Sequence, residues 1–420
     1  MMELDIRSVR TRKDMIRFLD GYAFERKEEL DERRLRGPLV KSYLVEILDS
    51  GQARSSRGLI DLFARWEVQL QQIDEELFLV RDNQNGSVGF LERLRPRIAA
   101  LYSTMETKAL DAWARRLVLR APEIDHVWLS GLTFSVLWDL VVRLSHPDRF
   151  ARLVFTHESI YDIDIPPVEP SQEDEGDIDA PDVLQDEEVE EVTERRAANI
   201  RLVDRIRVIR DKLQKLQDIY APLHAISQLR FPSLVGRGGH DFYDNGKVTN
   251  RSESFRDHRS HLLFVVRIYE RLLGMTEEQA WYSVQTSASL PGVFRKIVGA
   301  PVVIRFQEPL KPQVFDFWVQ STFGRQRNRF RLWGHPIRLG PTKVHVYGLD
   351  CHLWHPLFLE LTARGCTAII PSGTCGNTVH RLVTNVQRYL DPGAEVYIGD
   401  TPYRKMVEES SRTVEYASTS

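Results

Sequence analysis

"IDHVWLSGLTFSVLWDLVVRLSHPDRFARLVFTHES", residues 124–159, decides how this 420-residue chain is read. A short apolar run, "IDHVWLSG", ends in Ser130-Gly131. Apolar residues at helical spacing follow in "LTFSVLWDLVVRLS", and "RFARLVFTHES" is a second apolar run. Strand, helix and strand at this spacing predict a crossover unit of a parallel sheet. Ligands favour the loops at the carboxyl ends of such strands, where Ser130, Gly131, His157 and Glu158 fall. A tight turn and ordinary surface polar groups account for the same four residues.

On the N-terminal side, residues 1–120 read as helices. Leu59, Leu62, Phe63, Trp66 and Leu70 recur at helical spacing. "FLERLRPRIAALYSTMETKALDAWARRLVLR" (90–120) reads as one or two more helices, broken near Pro96.

On the other side, Asp162 to Glu194 holds 15 acids and no Lys or Arg. Such a segment buries too little apolar area to offset its ordering entropy and is expected to be a disordered linker. It hides an asymmetry in the formal net charge of −3, because 45 acids face 57 bases elsewhere. Those bases are 46 Arg and 11 Lys, and arginine suits carboxylate or phosphate recognition.

Past the linker, Leu202, Ile206, Ile209, Leu213, Leu216 and Tyr220 form an a/d seam, compatible with a homodimer or with half of an internal helical hairpin. Helices are expected around 253–273 and 276–288. From 297 onward "IVGAPVVIRFQE", "QVFDFWVQSTF", "RNRFRLWG" and "TKVHVYGLD" are strand candidates. "HPLFLELTARG" reads as a helix, "CTAIIPS" as a strand, "NTVHRLVTNVQRYLDPG" as a helix and "AEVYIGD" as a last strand.

The fold class is therefore α/β, multidomain and mixed. A helical plus βαβ domain (1–161) precedes the acidic linker (162–196). A helical segment (197–290), a C-terminal α/β domain (291–406) and a loose tail (407–420) follow. No apolar run approaches the roughly 18 residues that span a bilayer, so no membrane association is expected. Three cysteines argue against a disulfide framework and for a reducing, cytoplasmic setting.

Four constellations bear on chemistry. Between Asp316 and Asp350 there is no acid but six bases: Arg325, Arg327, Arg329, Arg331, Arg338 and Lys343. Aromatic residues interleave with them, and strand alternation puts Arg329, Arg331 and Trp333 on one face. A basic, aromatic ribbon suits RNA or another single strand, with charge on phosphates and rings on bases. A hairpin with one solvated face, or a dock for the acidic linker, explains it too.

The second constellation is a concentration of Cys351, Cys366 and Cys375 with His335, His345, His352, His355 and His380. The spacing is irregular rather than two paired halves, so no metal or cofactor is expected.

The third is "CTAIIPSGTCGNTVHRLV" (366–383). Cys375 and Arg381 stand at C-x₅-R spacing between an apolar run and a helix-like run. This resembles the loop of cysteine-dependent phosphatases, which implies a Cys375 thiolate and an Arg381 clamp on phosphate. The residue after the arginine and the late position in the chain depart from the low-molecular-weight members. With His352 at the end of the preceding strand, the same place resembles the Cys/His dyad of caspase-like peptidases, without their characteristic neighbours of the cysteine. A structural strand-to-helix turn is the alternative.

The fourth is "RDHRSH", in which Arg256 and His261 resemble the R-x₄-H motif of HEPN-type ribonucleases. The resemblance implies an Arg/His acid–base site at a helical dimer interface. A charged helix start explains the same residues.

The leading expectation is a regulatory or nucleic-acid-associated binding protein. The alternatives are a Cys375-dependent enzyme, a ribonuclease at Arg256 and His261, and an interaction module regulated through the acidic segment and a protein partner.

Overall fold

The structure, a computed structural model, describes residues 6–412 apart from 35, 49–54, 83–85, 159, 161–197, 218, 290–291 and 324–328. It has a mixed α/β, multidomain fold built on two antiparallel sheets. The acidic segment, Arg325 and Arg327 lie outside the described residues.

Helix α1 (Arg12–Asp31) starts at a capping box, in which Thr11 and Asp14 bond each other's backbone N–H. Then come β1 (Lys41–Ile47), α2 (Ser56–Arg65), β2 (Val68–Asp74), β3 (Leu77–Asp82), β4 (Gly86–Arg95) and β5 (Ile98–Ser103). Helix α3 (Thr107–Arg120), β6 (Ile124–His126), α4 (Gly131–Leu144) and β7 (Phe150–His157) follow. After the acidic segment come β8 (Ala198–Arg205), α5 (Ile206–Leu216), β9 (Ile226–Pro232), β10 (Gly239–Tyr243) and β11 (Lys247–Asn250). The first sheet runs β2-β3-β4-β5-β1-β11-β10-β9-β7-β8, with β6 also on β1.

Helices cover both faces of this sheet, which is why every residue of β1 is buried. Leu44 faces a core shared with α1, α4 and α5. Tyr43, Val45 and Ile47 face a second core shared with α2 and α3.

Helix α6 (Phe255–Ala280), 26 residues long, joins the two halves. Phe255, Leu262 and Val266 lie in the first core, whereas Leu272 and Ala280 pack with the second sheet. At 1.5 Å per residue it spans roughly 39 Å. The second sheet uses β12 (Trp281–Ser289), β13 (Gly292–Val298), β14 (Val302–Arg305), β15 (Leu332–Gly340), β16 (Lys343–Asp350), β17 (His355–Thr362), β18 (Gly365–Pro371), β19 (Glu395–Ile398) and β20 (Thr401–Pro402). Its order is β15-β16-β17-β18-β14-β19-β20, with the β12–β13 hairpin leaning on β18. Helices α7 (Pro312–Phe323), α8 (Asn377–Tyr389) and α9 (Tyr403–Ser411) contribute to its core.

Several local expectations are corrected. The strand–helix–strand order at 124–157 is present, but β6 pairs β1 while β7 sits between β8 and β9, all antiparallel, so no parallel crossover forms. Ser130 caps α4 by accepting the Thr133 N–H, and Gly131 approaches Ala225 too closely for a side chain. Glu158 pairs with Arg388 at 2.6 Å. These residues serve the fold.

The N-terminal region is not all helix. Helix α2 ends at Arg65, and Leu70 lies in β2, where buried and exposed residues alternate. Pro96 and Arg97 form the tight turn of the β4–β5 hairpin rather than a helix break. Of the proposed seam, Ile206, Ile209 and Leu213 are buried on α5, while Leu202 lies in β8 and Leu216 and Tyr220 are exposed. The stretch after the acidic segment, read as helical, contributes four strands to the first sheet. "QVFDFWVQSTF" is helical in α7, and "HPLFLELTARG" is strand β17. Of the C-terminal run expected to be loose, 407–411 continue α9, whose Met406 and Val407 are buried, and 413–420 lie outside the described residues.

Among the described residues, no helix is long and apolar enough to cross a membrane.

Candidate functional site

The two sheets meet at a buried polar cluster. Glu46 comes from β1, Arg97 from the β4–β5 turn, and Asp125 from β6. Asp350 ends β16, His352 follows it, Cys375 precedes α8, and Glu277 comes from the last turn of α6. The cysteine and the histidine are each 1% exposed.

The Cys375 thiol donates to Glu46 Oε2 at 2.9 Å. Arg97 bonds Glu46 Oε1 at 2.6 Å and Glu277 Oε1 at 2.8 Å, and its Nη2 lies 3.4 Å from Cys375 Sγ. Glu277 accepts the Gly376 N–H at 3.0 Å, and the Asn377 N–H points at Sγ from 3.3 Å. His352 Nδ1 lies 2.6 Å from the Pro122 carbonyl, so Nδ1 carries the proton and Nε2 is the bare nitrogen.

Burial and then the Glu46 carboxylate push the Cys375 thiol well above its ordinary pKa. Burial pushes Glu46 up and takes His352 down to about 4. With only these neighbours, a protonated thiol sits near a neutral imidazole. That is the opposite of the activated thiolate that a phosphatase or peptidase nucleophile requires.

Arg381 does not clamp a phosphate here. It is 1% exposed, bonds the Phe330 carbonyl at 2.8 Å and pairs with both Asp125 and Asp350. Arg331 completes the ladder, reaching Asp125 at 3.1 Å and the Ile124 carbonyl at 2.9 Å. Asp125 is held well below the usual carboxylate range, with Arg381 and Arg331 outweighing its burial. Thus Arg331, expected on an exposed ribbon, is an interior cation of the inter-sheet boundary.

The R-x₄-H pair does not converge. Arg256 is 78% exposed along its side chain and reaches toward Asp20, while His261 is buried with Nδ1 at 2.9 Å from the Asp257 carbonyl. Around His261 an interior network ties α6 to the first sheet. Asp257 accepts from Ser233 at 2.6 Å and lies 2.9 Å from His240 Nε2, and His258 Nε2 lies 2.7 Å from Ser42 Oγ.

The ribbon is rearranged rather than absent. The backbone turns at Arg329 and Phe330, Arg331 adopts φ +51°, and the strand starts only at Leu332. Arg329 lies over the Tyr389 ring. Trp333, Ile337 and Tyr347 then point outward, Tyr347 being 67% exposed and Trp333 42%. Tyr347 stands directly opposite His335 on β15 and Phe358 on β17, with the Tyr347 and Phe358 ring centroids 5.1 Å apart. Lys343 lies on this face, paired with Glu360 at 2.8 Å, whereas Arg338, opposite the buried Val344, turns to the other side and pairs with Asp316 of α7 at 2.5 Å. Phe358 was missed because its segment reads as helix. The alternation of Leu357, Leu359 and Leu361 was the signal for a strand.

Residues 235–404 match the family described as MJECL33-like protein. The chain is 20% identical over 344 residues to the uncharacterized protein MJECL33 of Methanocaldococcus jannaschii, covering 77% of this chain and 79% of that one. No solved structure matches.

Proposed function

We propose that this is a nucleic-acid-associated binding protein that holds single-stranded RNA or DNA on the outward face of β15–β17. The observation that carries the reading is the outward placement of Trp333 and Tyr347, with Phe358 against Tyr347, on a sheet whose other face is packed. Rings on an open sheet offer stacking surfaces that any base accepts. Lys343 on the same face is half-exposed, and its surface ion pair with Glu360 is worth no more than about 1 kcal/mol, so a phosphate can replace that carboxylate. A reducing, cytoplasmic setting belongs to the same proposal, in keeping with three buried, unpaired cysteines.

The test is titration of a fluorescently labelled single-stranded homopolymer with the intact chain across salt concentrations, read by fluorescence anisotropy of the strand. Binding that weakens with salt and is lost in a Trp333→Ala, Tyr347→Ala double variant supports the reading. No binding, together with concentration-dependent self-association abolished by the same variant, would replace it with a protein interface.

A further inference from the structure

We propose that Glu46, His352 and Cys375 form a binding site for one divalent transition metal ion of the zinc type. Their donor atoms all lie within 4.8 Å of one another, and all three residues are buried. Glu46 and Cys375 are 329 positions apart, so the fold assembles the set from both sheets.

The second observation is His352 itself. Its Nδ1 is fixed as a donor by the Pro122 carbonyl, and its Nε2, fully buried, has no hydrogen-bond partner. That bare lone pair faces Glu46 Oε2 across 4.0 Å. Leaving a buried acceptor unsatisfied is costly, and a cation between the two atoms would satisfy both. A carbonyl that locks the far nitrogen of a ligating imidazole is the usual outer support of such a ligand.

The donor set selects the ion. Thiol sulfur with imidazole nitrogen and one carboxylate suits zinc or cobalt(II), whereas magnesium and calcium require oxygen cages. Binding exchanges a proton for the metal. The S–H bond breaks, its proton leaves to solvent, and the sulfur lone pair forms the bond to the ion. Charge then balances, since Glu46, Glu277 and the thiolate oppose Arg97 and a doubly charged ion. Three protein ligands leave a fourth position open. Arg97, with 28% of its side chain exposed, is the member of the cluster nearest solvent.

The other compact set, His240, Asp257 and His261, makes a contrast. Although its Asp257 Oδ1 has no hydrogen-bond partner, its His240 Nε2 donates to Asp257 Oδ2 and its His261 Nδ1 to the Asp257 carbonyl, so neither nitrogen offers a bare lone pair and the set serves as an internal control.

The test uses the full chain, stripped with a chelator, desalted and titrated with cobalt(II), with metal content measured by mass spectrometry. One bound ion per chain is expected, with a near-ultraviolet thiolate-to-cobalt band. Cys375→Ser abolishes the band, whereas Cys366→Ala and His240→Gln keep it. Should Cys375→Ser fail to fold, Glu46→Gln is the second variant, expected to weaken cobalt binding by more than about tenfold. No bound ion in the intact chain, a band that survives in Cys375→Ser, or unchanged affinity in Glu46→Gln would overturn the proposal. None of these readouts involves nucleic acid, so the outcome is independent of the sheet-face reading.

Discussion

Arg381 of α8 and Asp125 of β6 pair across the boundary between the two sheets, with both side chains buried and Arg331 and Asp350 on either side. Each charge in this ladder is compensated by a neighbour that belongs to a different part of the chain. Removing one leaves a buried charge without its partner. Arg381→Ala is therefore expected to lose about 3–5 kcal/mol of stability in chemical denaturation. Loss of a phosphatase-like activity with stability intact would contradict this placement.

On the outward face the expectation is reversed. Tyr347→Ala and Trp333→Ala remove exposed rings, so stability should change by no more than about 0.5 kcal/mol. Affinity for a single strand should fall by about 1–3 kcal/mol per ring. Filter binding beside a thermal melt separates the two effects.

Arg256 and His261 are distinguished by burial. Arg256→Ala is expected to leave stability within about 0.5 kcal/mol, because its side chain is exposed. His261→Ala opens the interior network beneath α6 and should cost about 2–3 kcal/mol. A ribonuclease site would instead show equal loss of RNA cleavage in both variants with stability unchanged.

Acid should weaken the fold through its interior histidines. Burial takes His126 and His240 down to about 4 and His380 to about 3. Each is neutral when folded and takes up a proton near its ordinary value once unfolded. Their contribution to stability is complete above about pH 6.5 and is lost as pH falls toward 4 and 3. Denaturation midpoints measured between pH 7 and 4 should fall steadily. His380→Asn should flatten that slope even where its plateau lies lower, and a pH-independent midpoint in the parent protein would count against neutral burial.

The parts legible in the sequence are those set by local signals. The helix after Ser130-Gly131 was legible from its apolar spacing, and "CTAIIPS" and "NTVHRLV" alternate and repeat with clear strand and helix periods. Failures came where tertiary packing overrode propensity. The Leu-rich β17 is a strand because β16 and β18 pair with it on both sides. Aromatic α7 is helical because Phe315, Trp318 and Val319 reach the second core on one helix face. In the buried cluster, His352 and Cys375 stand out from the cysteine and histidine concentration, but Glu46 and Arg97 carry no local mark. They belong to the site because β1 and the β4–β5 turn arrive there from the other sheet.

The pairing of β7 with β8 bears on how the chain tolerates change. His157 lies opposite Ala198, so the stretch that carries the acidic run leaves and re-enters the sheet at neighbouring positions. The two strands it joins are antiparallel neighbours, so their pairing and not the joining residues fixes the register. Lengthening such a connection costs only about 0.6 kcal/mol per doubling, so its length and charge can drift while both strands keep their register. Evolution or an experimenter can therefore trim or graft at this point. Ile160, buried in the second core just after β7, and Glu158, held by Arg388, mark where the graft must begin.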